Sequence, residues 1–249
     1  MSKNVMITGA GSGFGKLAAL ALAERGHHVI ATTETEEQAV GLRAEAPQLS
    51  VEKLDVTTDD VHKAERWDID VLIDNAGAGQ TGPIADVPLE RVRHLFEVNV
   101  FGTLSLTQVV LKGMVAKRSG RVIIMSSIAG VLSAPAFGPY AMTKHALEAM
   151  GKAMRAELAP LGIDVTLINP GPYLTGFNDR MADSMWEWFS DKSLNGSETE
   201  LFKMIGEFVT TGQRDPAEVA QRLVELVEAE MTTENNFVPA DLLEQLNLA

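Results

Sequence analysis

The segment Thr8-Gly9-Ala10-Gly11-Ser12-Gly13-Phe14-Gly15 constrains this chain more than any other, because four glycines within seven residues suit few backbone settings. An apolar run, Asn4 to Thr8, leads into it, and Lys16 to Arg25 is a good helix former that Gly26 stops before a strand pattern resumes at His28 to Thr32. Strand, turn, helix and strand make a βαβ unit. Glycines at its first turn allow restricted dihedrals and let backbone amides approach a pyrophosphate. The spacing is Gly-x-x-x-Gly-x-Gly, at Gly9, Gly13 and Gly15, rather than Gly-x-Gly-x-x-Gly. A Walker A loop is excluded, since no Gly-Lys-Ser or Gly-Lys-Thr follows.

The alternation continues along the chain. Further strands are expected at Leu49 to Lys53, Val71 to Asp74, Arg121 to Ser126, Ile163 to Asn169 and Asn236 to Val238. Helices are expected at Glu34 to Glu45, Thr58 to Ala64, Leu89 to Lys117, Pro139 to Ala159 and Pro216 to Glu230. Seven strands alternating with helices predict an α/β Rossmann fold, a doubly wound, mainly parallel sheet with helices on both faces. The runs Val71-Leu72-Ile73 and Val122-Ile123-Ile124-Met125 suit its middle, where neither side of a strand meets water. With 249 residues and no linker, residues 1–249 are read as a single dinucleotide-binding and catalytic domain. Residues 176–212, rich in Met, Trp and Phe, break the rhythm as a long excursion containing short helices.

Composition removes several classes of function. A net charge of −13 argues against nucleic acid, whose phosphates need clustered Lys and Arg. The chain has no cysteine, which excludes a disulfide, a thiolate nucleophile and a thiolate metal site. Histidines at 27, 28, 62, 94 and 145 form no His-x-x-x-His or His-Glu-x-x-His, so no metal is expected. No apolar stretch approaches a membrane span, and Met1 to Ile7 runs directly into a strand, so no membrane partner and a cytoplasmic location are expected.

Chemistry is suggested by Tyr140-Ala141-Met142-Thr143-Lys144, whose ends share one helical face. An ammonium beside a phenol, whose ordinary pKa is near 10, lowers it toward use in proton transfer. Alone, such a pair is commonly an exposed helix pair. With Ser127 thirteen positions ahead and the glycine turn upstream, it becomes a candidate site.

Together these motifs resemble the short-chain dehydrogenase/reductase (SDR) family over nearly the whole chain. The cofactor motif is Thr8 to Gly15, and Asp74-Asn75-Ala76-Gly77 stands where Asn-Asn-Ala-Gly is commoner. Asn99 lies in Val98-Asn99-Val100, Tyr-x-x-x-Lys is Tyr140 to Lys144, and Pro170-Gly171 follows the sixth strand. The resemblance implies a catalytic tetrad of Asn99, Ser127, Tyr140 and Lys144. Tyr140 would carry the proton, Lys144 would lower its pKa and bond the nicotinamide ribose, and Ser127 would bond the substrate oxygen. Asn99 would tie a water or backbone group behind Lys144 into a relay. Adjacent residues at a strand end point oppositely, so Ser126 is expected to face away from the substrate, into capping or a turn hydrogen bond. Implied cofactor contacts are Gly9, Ser12, Gly13, Phe14, Gly15, Asn75, Ala76 and Gly77, with Asp55 and Val56 bordering the adenine. Tyr140, Lys144, Pro170, Gly171 and Thr175 complete them.

The second strand ends in Thr33-Glu34, where an Asp matched to Thr33 would resemble an NAD site and an Arg matched to Glu34 an NADP site. A 2′-phosphate would meet Glu34, with only the distant Lys16 and Arg43 in compensation, whereas a carboxylate accepts bonds from a ribose diol. NAD is therefore expected, with NADP as the alternative. Phe137, Tyr173 and Trp186 are expected to wall a pocket for an apolar, including aromatic, secondary alcohol or its ketone. Competing readings are an NADP-preferring carbonyl reductase, a dihydrodiol-type dehydrogenase and a non-catalytic nucleotide-sensing scaffold. The helices Leu89 to Lys117 and Pro139 to Ala159 resemble those that pair in homodimers or homotetramers, and Ala141, His145, Ala149 and Ala153 form a small-residue stripe.

Overall fold

The structure is a computed structural model and describes residues 1–246. Strands β1 (Asn4–Ile7), β2 (His28–Thr33), β3 (Ser50–Lys53), β4 (Val71–Asp74), β5 (Gly120–Met125), β6 (Ile163–Pro170) and β7 (Asn235–Val238) pair in the order β3-β2-β1-β4-β5-β6-β7. Every pairing is parallel. The chain runs outward from β1 to β3 and then returns to place β4 on the other side of β1. This reversal opens a crevice beyond the carboxyl ends of β1 and β4, where open α/β sheets bind ligands.

Alternation along the strands explains how both faces are covered. Val5, Ile7, Val71, Ile73 and Ile123 point to one face, against Ala18, Ala19 and Leu22 of α1 (Gly13–Glu24) and Val219, Leu223 and Val227 of α8 (Ala217–Glu228). Met6, Leu72, Val122 and Ile124 point to the other, against Leu106, Val110 and Met114 of α4 (Thr103–Lys117) and Leu147 of α5 (Gly138–Leu158). Each fully buried aliphatic side chain contributes about 1.5–3 kcal/mol, so these two layers fix the sheet to its helices. Helix α2 (Glu36–Glu45) starts in a capping box in which Thr35 Oγ1 accepts from the Gln38 amide and Gln38 Oε1 accepts from the Thr35 amide.

Three expectations change. Residues 59–66 form a 3₁₀ helix, begun by the Thr58 hydroxyl accepting from the Asp60 amide. The stretch 89–117 is not one regular helix: α3 (Leu89–Phe96) and α4 are joined by a π-helical turn at 97–102, which carries Asn99. Leu89–Lys117 is also long and apolar enough to cross a membrane by length and composition, contrary to the sequence expectation. Its apolar side is buried on the sheet through Leu106, Val109, Val110 and Met114.

The excursion contains α6 (Phe177–Asp183) and α7 (Thr199–Thr210) and is bonded to the loop after β4. The Thr81 hydroxyl donates to the Met181 carbonyl at 2.8 Å, the Thr81 amide donates to Ser184 Oγ at 3.0 Å, and the Asp86 carboxylate accepts from the Leu194 and Asn195 amides. Of the small-residue stripe on α5, Ala141 is buried while His145, Ala149 and Ala153 are exposed.

Asp74 ends β4 fully buried, with the Thr107 hydroxyl donating to it at 2.7 Å. Burial pushes its carboxyl up to about 7, against the pull of that hydroxyl. Between the ordinary carboxylate range and about 7 the folded chain holds a proton that the unfolded chain has released, so stability falls as pH rises through that window. The loss is on the order of a few kcal/mol. Asp74→Asn should therefore raise the urea midpoint at pH 8 and flatten its decline between pH 5 and pH 8. Identical midpoints for the two proteins at both pH values would contradict this.

Candidate active site

The glycine turn is stapled to the end of β4. The Thr8 hydroxyl accepts from the Asn75 and Ala76 amides, both at 2.9 Å, and Asn75 Nδ2 donates to the Thr8 and Gly9 carbonyls at 2.8 and 3.2 Å. Gly9 has φ +64°, and a Cβ there would lie 2.9 Å from Ala76 Cα. Gly13 has φ +55°, and its Cβ position faces Thr175 at 3.4 Å. Gly15 would meet Asn75 Nδ2 at 2.5 Å, so it serves close packing. Helix α1 starts here with no acidic residue in its first turn, and its free amides favour an anion.

Beyond this turn lies a cavity of about 1150 Å³. Ordinary small-molecule pockets span roughly 300–1,000 Å³, so there is room for an extended dinucleotide and an organic molecule together. Gly9, Ser12, Gly13, Phe14, Glu34, Asp55, Val56, Asn75, Ala76 and Gly77 line it at one end, with Pro170, Gly171 and Thr175 across from them. Ser127, Tyr140 and Lys144 line the same cavity. The glycine cradle, the helix amides and a carboxylate at Glu34 fit a dinucleotide.

Ser127 follows β5 and caps a 3₁₀ turn, its Oγ accepting from the Ala129 amide at 3.1 Å. Tyr140, 7% exposed, packs with Leu95, Ala129 and Met181, and its ring stands 5.8 Å from that of Phe177. One turn later on α5, Lys144 Nζ donates to the Met125 carbonyl at 2.7 Å and sits 5.6 Å from the Tyr140 ring centre. Burial raises the Tyr140 phenol above its ordinary value, and the Ser127 hydroxyl opposes that rise. Burial lowers Lys144 to about 8, while the Glu148 carboxylate supports its charge. The lowering of the phenol by the ammonium, expected from sequence, is not what sets it: burial raises the phenol, only the Ser127 hydroxyl opposes the rise, and the ammonium is directed to a backbone carbonyl.

Asn99 is fully buried beside the cavity rather than in its lining. Its Oδ1 accepts from the Ala78 amide at 2.8 Å, and its Nδ2 donates to the Ala78 carbonyl and to Thr143 Oγ1, both at 3.0 Å. Asn99 and Lys144 face each other across Gly77, whose Cβ position lies 3.4 Å from Asn99 Oδ1 and 4.0 Å from Lys144 Nζ.

Behind Ser127 lies a buried polar cluster. Glu148 accepts from Ser126 Oγ at 2.6 Å, Asn169 Nδ2 at 2.6 Å and Asn235 Nδ2 at 2.7 Å. Asn169 Nδ2 also donates to the Ser127 carbonyl at 3.2 Å. One carboxylate therefore joins the ends of β5 and β6 to the start of β7.

Other sequence expectations are corrected. Thr33 is buried with its hydroxyl donating to the Thr35 carbonyl at 3.0 Å, so it does not reach the cavity. Successive strand residues face opposite sides, and Glu34 is the one that emerges. Gly15 also lies outside the lining. Tyr173 does line the cavity, on the Phe14 side, its ring edge to face with Phe14 at 5.6 Å and its hydroxyl donating to Glu218 at 2.8 Å. Trp186, 39% exposed, turns away from the cavity and packs edge-on against Phe189 at 6.0 Å. Phe137 does line the cavity, joined by Leu132, Pro135, Met181, Met204, Ile205 and Val209. The apolar side of α7 was the missed signal for the last two.

A family model described as short chain dehydrogenase matches residues 3–186. The chain is 36% identical over 242 residues to the oxidoreductase YusZ of Bacillus subtilis (strain 168), covering 91% of this chain and 85% of that protein. It is 36% identical over 184 residues to an NADPH-dependent 3-dehydrocapnine reductase of Ornithobacterium rhinotracheale, covering 68% and 65%. The crystal structure of a short-chain dehydrogenase from Streptomyces avermitilis superposes with a TM-score of 0.85 at 30% identity, covering 99% of this chain and 92% of the other.

Proposed function

The chain belongs to the short-chain dehydrogenase family, and from that premise we propose that it moves a hydride between NAD(H) and an apolar secondary alcohol or its ketone. The observation that carries this reading is the meeting of Ser127, Tyr140 and Lys144 in the same cavity as the glycine turn. Bound there, the nicotinamide supplies or accepts the hydride. Tyr140 gives its proton to the substrate oxygen in reduction and takes one back in oxidation. The Ser127 hydroxyl bonds that oxygen as charge develops on it. Lys144, held by Met125, presents a positive charge beside the phenol and orients the ribose. Asn99 holds the Gly77 loop against α5 through Ala78 and Thr143.

NAD is proposed on the geometry around Glu34. Glu34 and Gln38 line the adenosine end of the cavity. The nearby cations are engaged elsewhere: Lys16 pairs with Glu45 at 2.6 Å, Arg43 with Glu36 at 2.6 Å, and Lys53, which feels the charges of Glu34 and Asp55, with Asp60. A 2′-phosphate would lie against a carboxylate, whereas a ribose diol donates to it. The second reading, an NADPH-dependent carbonyl reductase, is favoured by the cofactor in the name of the 3-dehydrocapnine relative. Leu132, Met181, Met204, Ile205 and Val209 favour an apolar substrate, and the methionines let the wall adapt to shape. The exposed stripe of His145, Ala149 and Ala153 on α5 supports a homodimer or homotetramer.

The test follows reduced-nicotinamide absorbance with a panel of apolar secondary alcohols and ketones. NAD(H) should give a kcat/KM at least about tenfold above NADP(H), and Glu34→Ala should narrow that ratio, since one like-charge contact is worth roughly a factor of ten. A preference of the unmodified enzyme for NADP(H) would establish the second reading instead.

A further inference from the structure

We propose that Arg180 binds the diphosphate of the dinucleotide, closing over it from the side opposite the glycine turn; this rests on the function proposed above. Among the described residues, Lys144 and Arg180 are the only Lys or Arg side chains that line the cavity. Lys144 is held at the Met125 carbonyl beside Tyr140, at the reacting end. The remaining charged lining residues near the nucleotide end are Glu34 and Asp55. A dianion entering that setting, in a protein of net charge −13, gains from a cation near its phosphates.

Local geometry puts Arg180 in that place. Gly13 begins α1, and its Cβ position faces Thr175 Cβ at 3.4 Å, so Thr175 stands across the crevice from the helix amides. Gly176 follows with φ +72°, and the Arg180 amide donates to its carbonyl at 3.2 Å. The Arg180 side chain folds back over that turn, its Nη1 only 2.9 Å from where a Cβ on Gly176 would be. Glycine at 176 thus both permits the turn and leaves space for the guanidinium. Eight of the eleven arginines pair with a carboxylate, whereas no carboxylate of the described residues lies within 4.0 Å of the Arg180 guanidinium. A planar donor fork of this kind matches two phosphate oxygens.

The same chemistry would serve a carboxylate or phosphate on the substrate, so the experiment separates the two sources. NADH and ADP-ribose are titrated into the intact enzyme and into Arg180→Met, by fluorescence and calorimetry without substrate. Both dissociation constants should rise roughly tenfold in the variant, the scale of one charge-assisted pair. Arg180→Lys should recover part of the loss, and added salt should weaken the unmodified enzyme more steeply than Arg180→Met. Equal affinities for both ligands in the two proteins overturn the proposal; if the variant then loses KM only for anionic substrates, the guanidinium serves the substrate. An unmodified enzyme that binds neither NADH nor ADP-ribose overturns the dinucleotide reading itself, and the proposal with it.

Discussion

Tyr140→Phe should lower kcat by roughly a thousandfold in both directions while leaving NADH affinity within about a factor of two, given that general acid–base groups contribute about 10²–10⁴. The phenol lines the cavity with Ser127, and its ring is packed by Leu95, Ala129 and Met181. Phe fills the same space, so the variant should fold with an unchanged melting temperature. Only the transferable proton is removed. Because burial holds the phenol above its ordinary value, Tyr140 is protonated at neutral pH and is ready to act as the acid of ketone reduction. Oxidation needs the ionised form and should accelerate as pH rises. Lys144 sets a limit, since its charge is lost above about 8. Steady-state rates across pH, with binding measured separately, check this; a Phe variant that retains a tenth of the kcat would refute the acid–base role.

The second large effect concerns stability. Glu148→Ala leaves the donors of Ser126, Asn169 and Asn235 without their acceptor inside the fold. Breaking a buried charged network by removing one partner costs about 3–5 kcal/mol, which for a domain of this size shifts the melting temperature by roughly 10 °C. Glu148→Gln keeps one acceptor oxygen and should lose less. Because Asn169 also holds the Ser127 carbonyl, the Ala variant should lose turnover even below its melting transition. Equal melting temperatures for the Ala variant and the unmodified protein would show that the cluster is not a keystone of the β5, β6 and β7 ends.

Much of this architecture was legible before any coordinates. The glycine turn announced the first βαβ unit, and the uninterrupted apolar runs of β4 and β5 marked the buried middle of a parallel sheet. Tyr140, Lys144 and Ser127 were placed by spacing and meet in one cavity. What escaped had physical reasons. A π-helical turn at 97–102 keeps the apolar rhythm of an α-helix, so Asn99 gave no local sign of the widened turn around it. Thr33 and Glu34 differ only in strand parity, and the side that opens to the crevice is set by neighbours. Trp186 is aromatic wherever it points, and only the packing of the excursion, which leaves it partly exposed and edge-on to Phe189, turns it away from the cavity. Ser126 is expected to cap or to bond within its own turn, but its partner Glu148 lies 22 residues away.

The most direct test of the central claim is isotopic. Incubating the enzyme with NAD and an apolar secondary alcohol deuterated at the carbinol carbon should yield reduced nicotinamide carrying deuterium, in step with ketone formation. A protein that binds NADH tightly yet transfers no label from any apolar alcohol, and reduces no apolar ketone, would contradict the account.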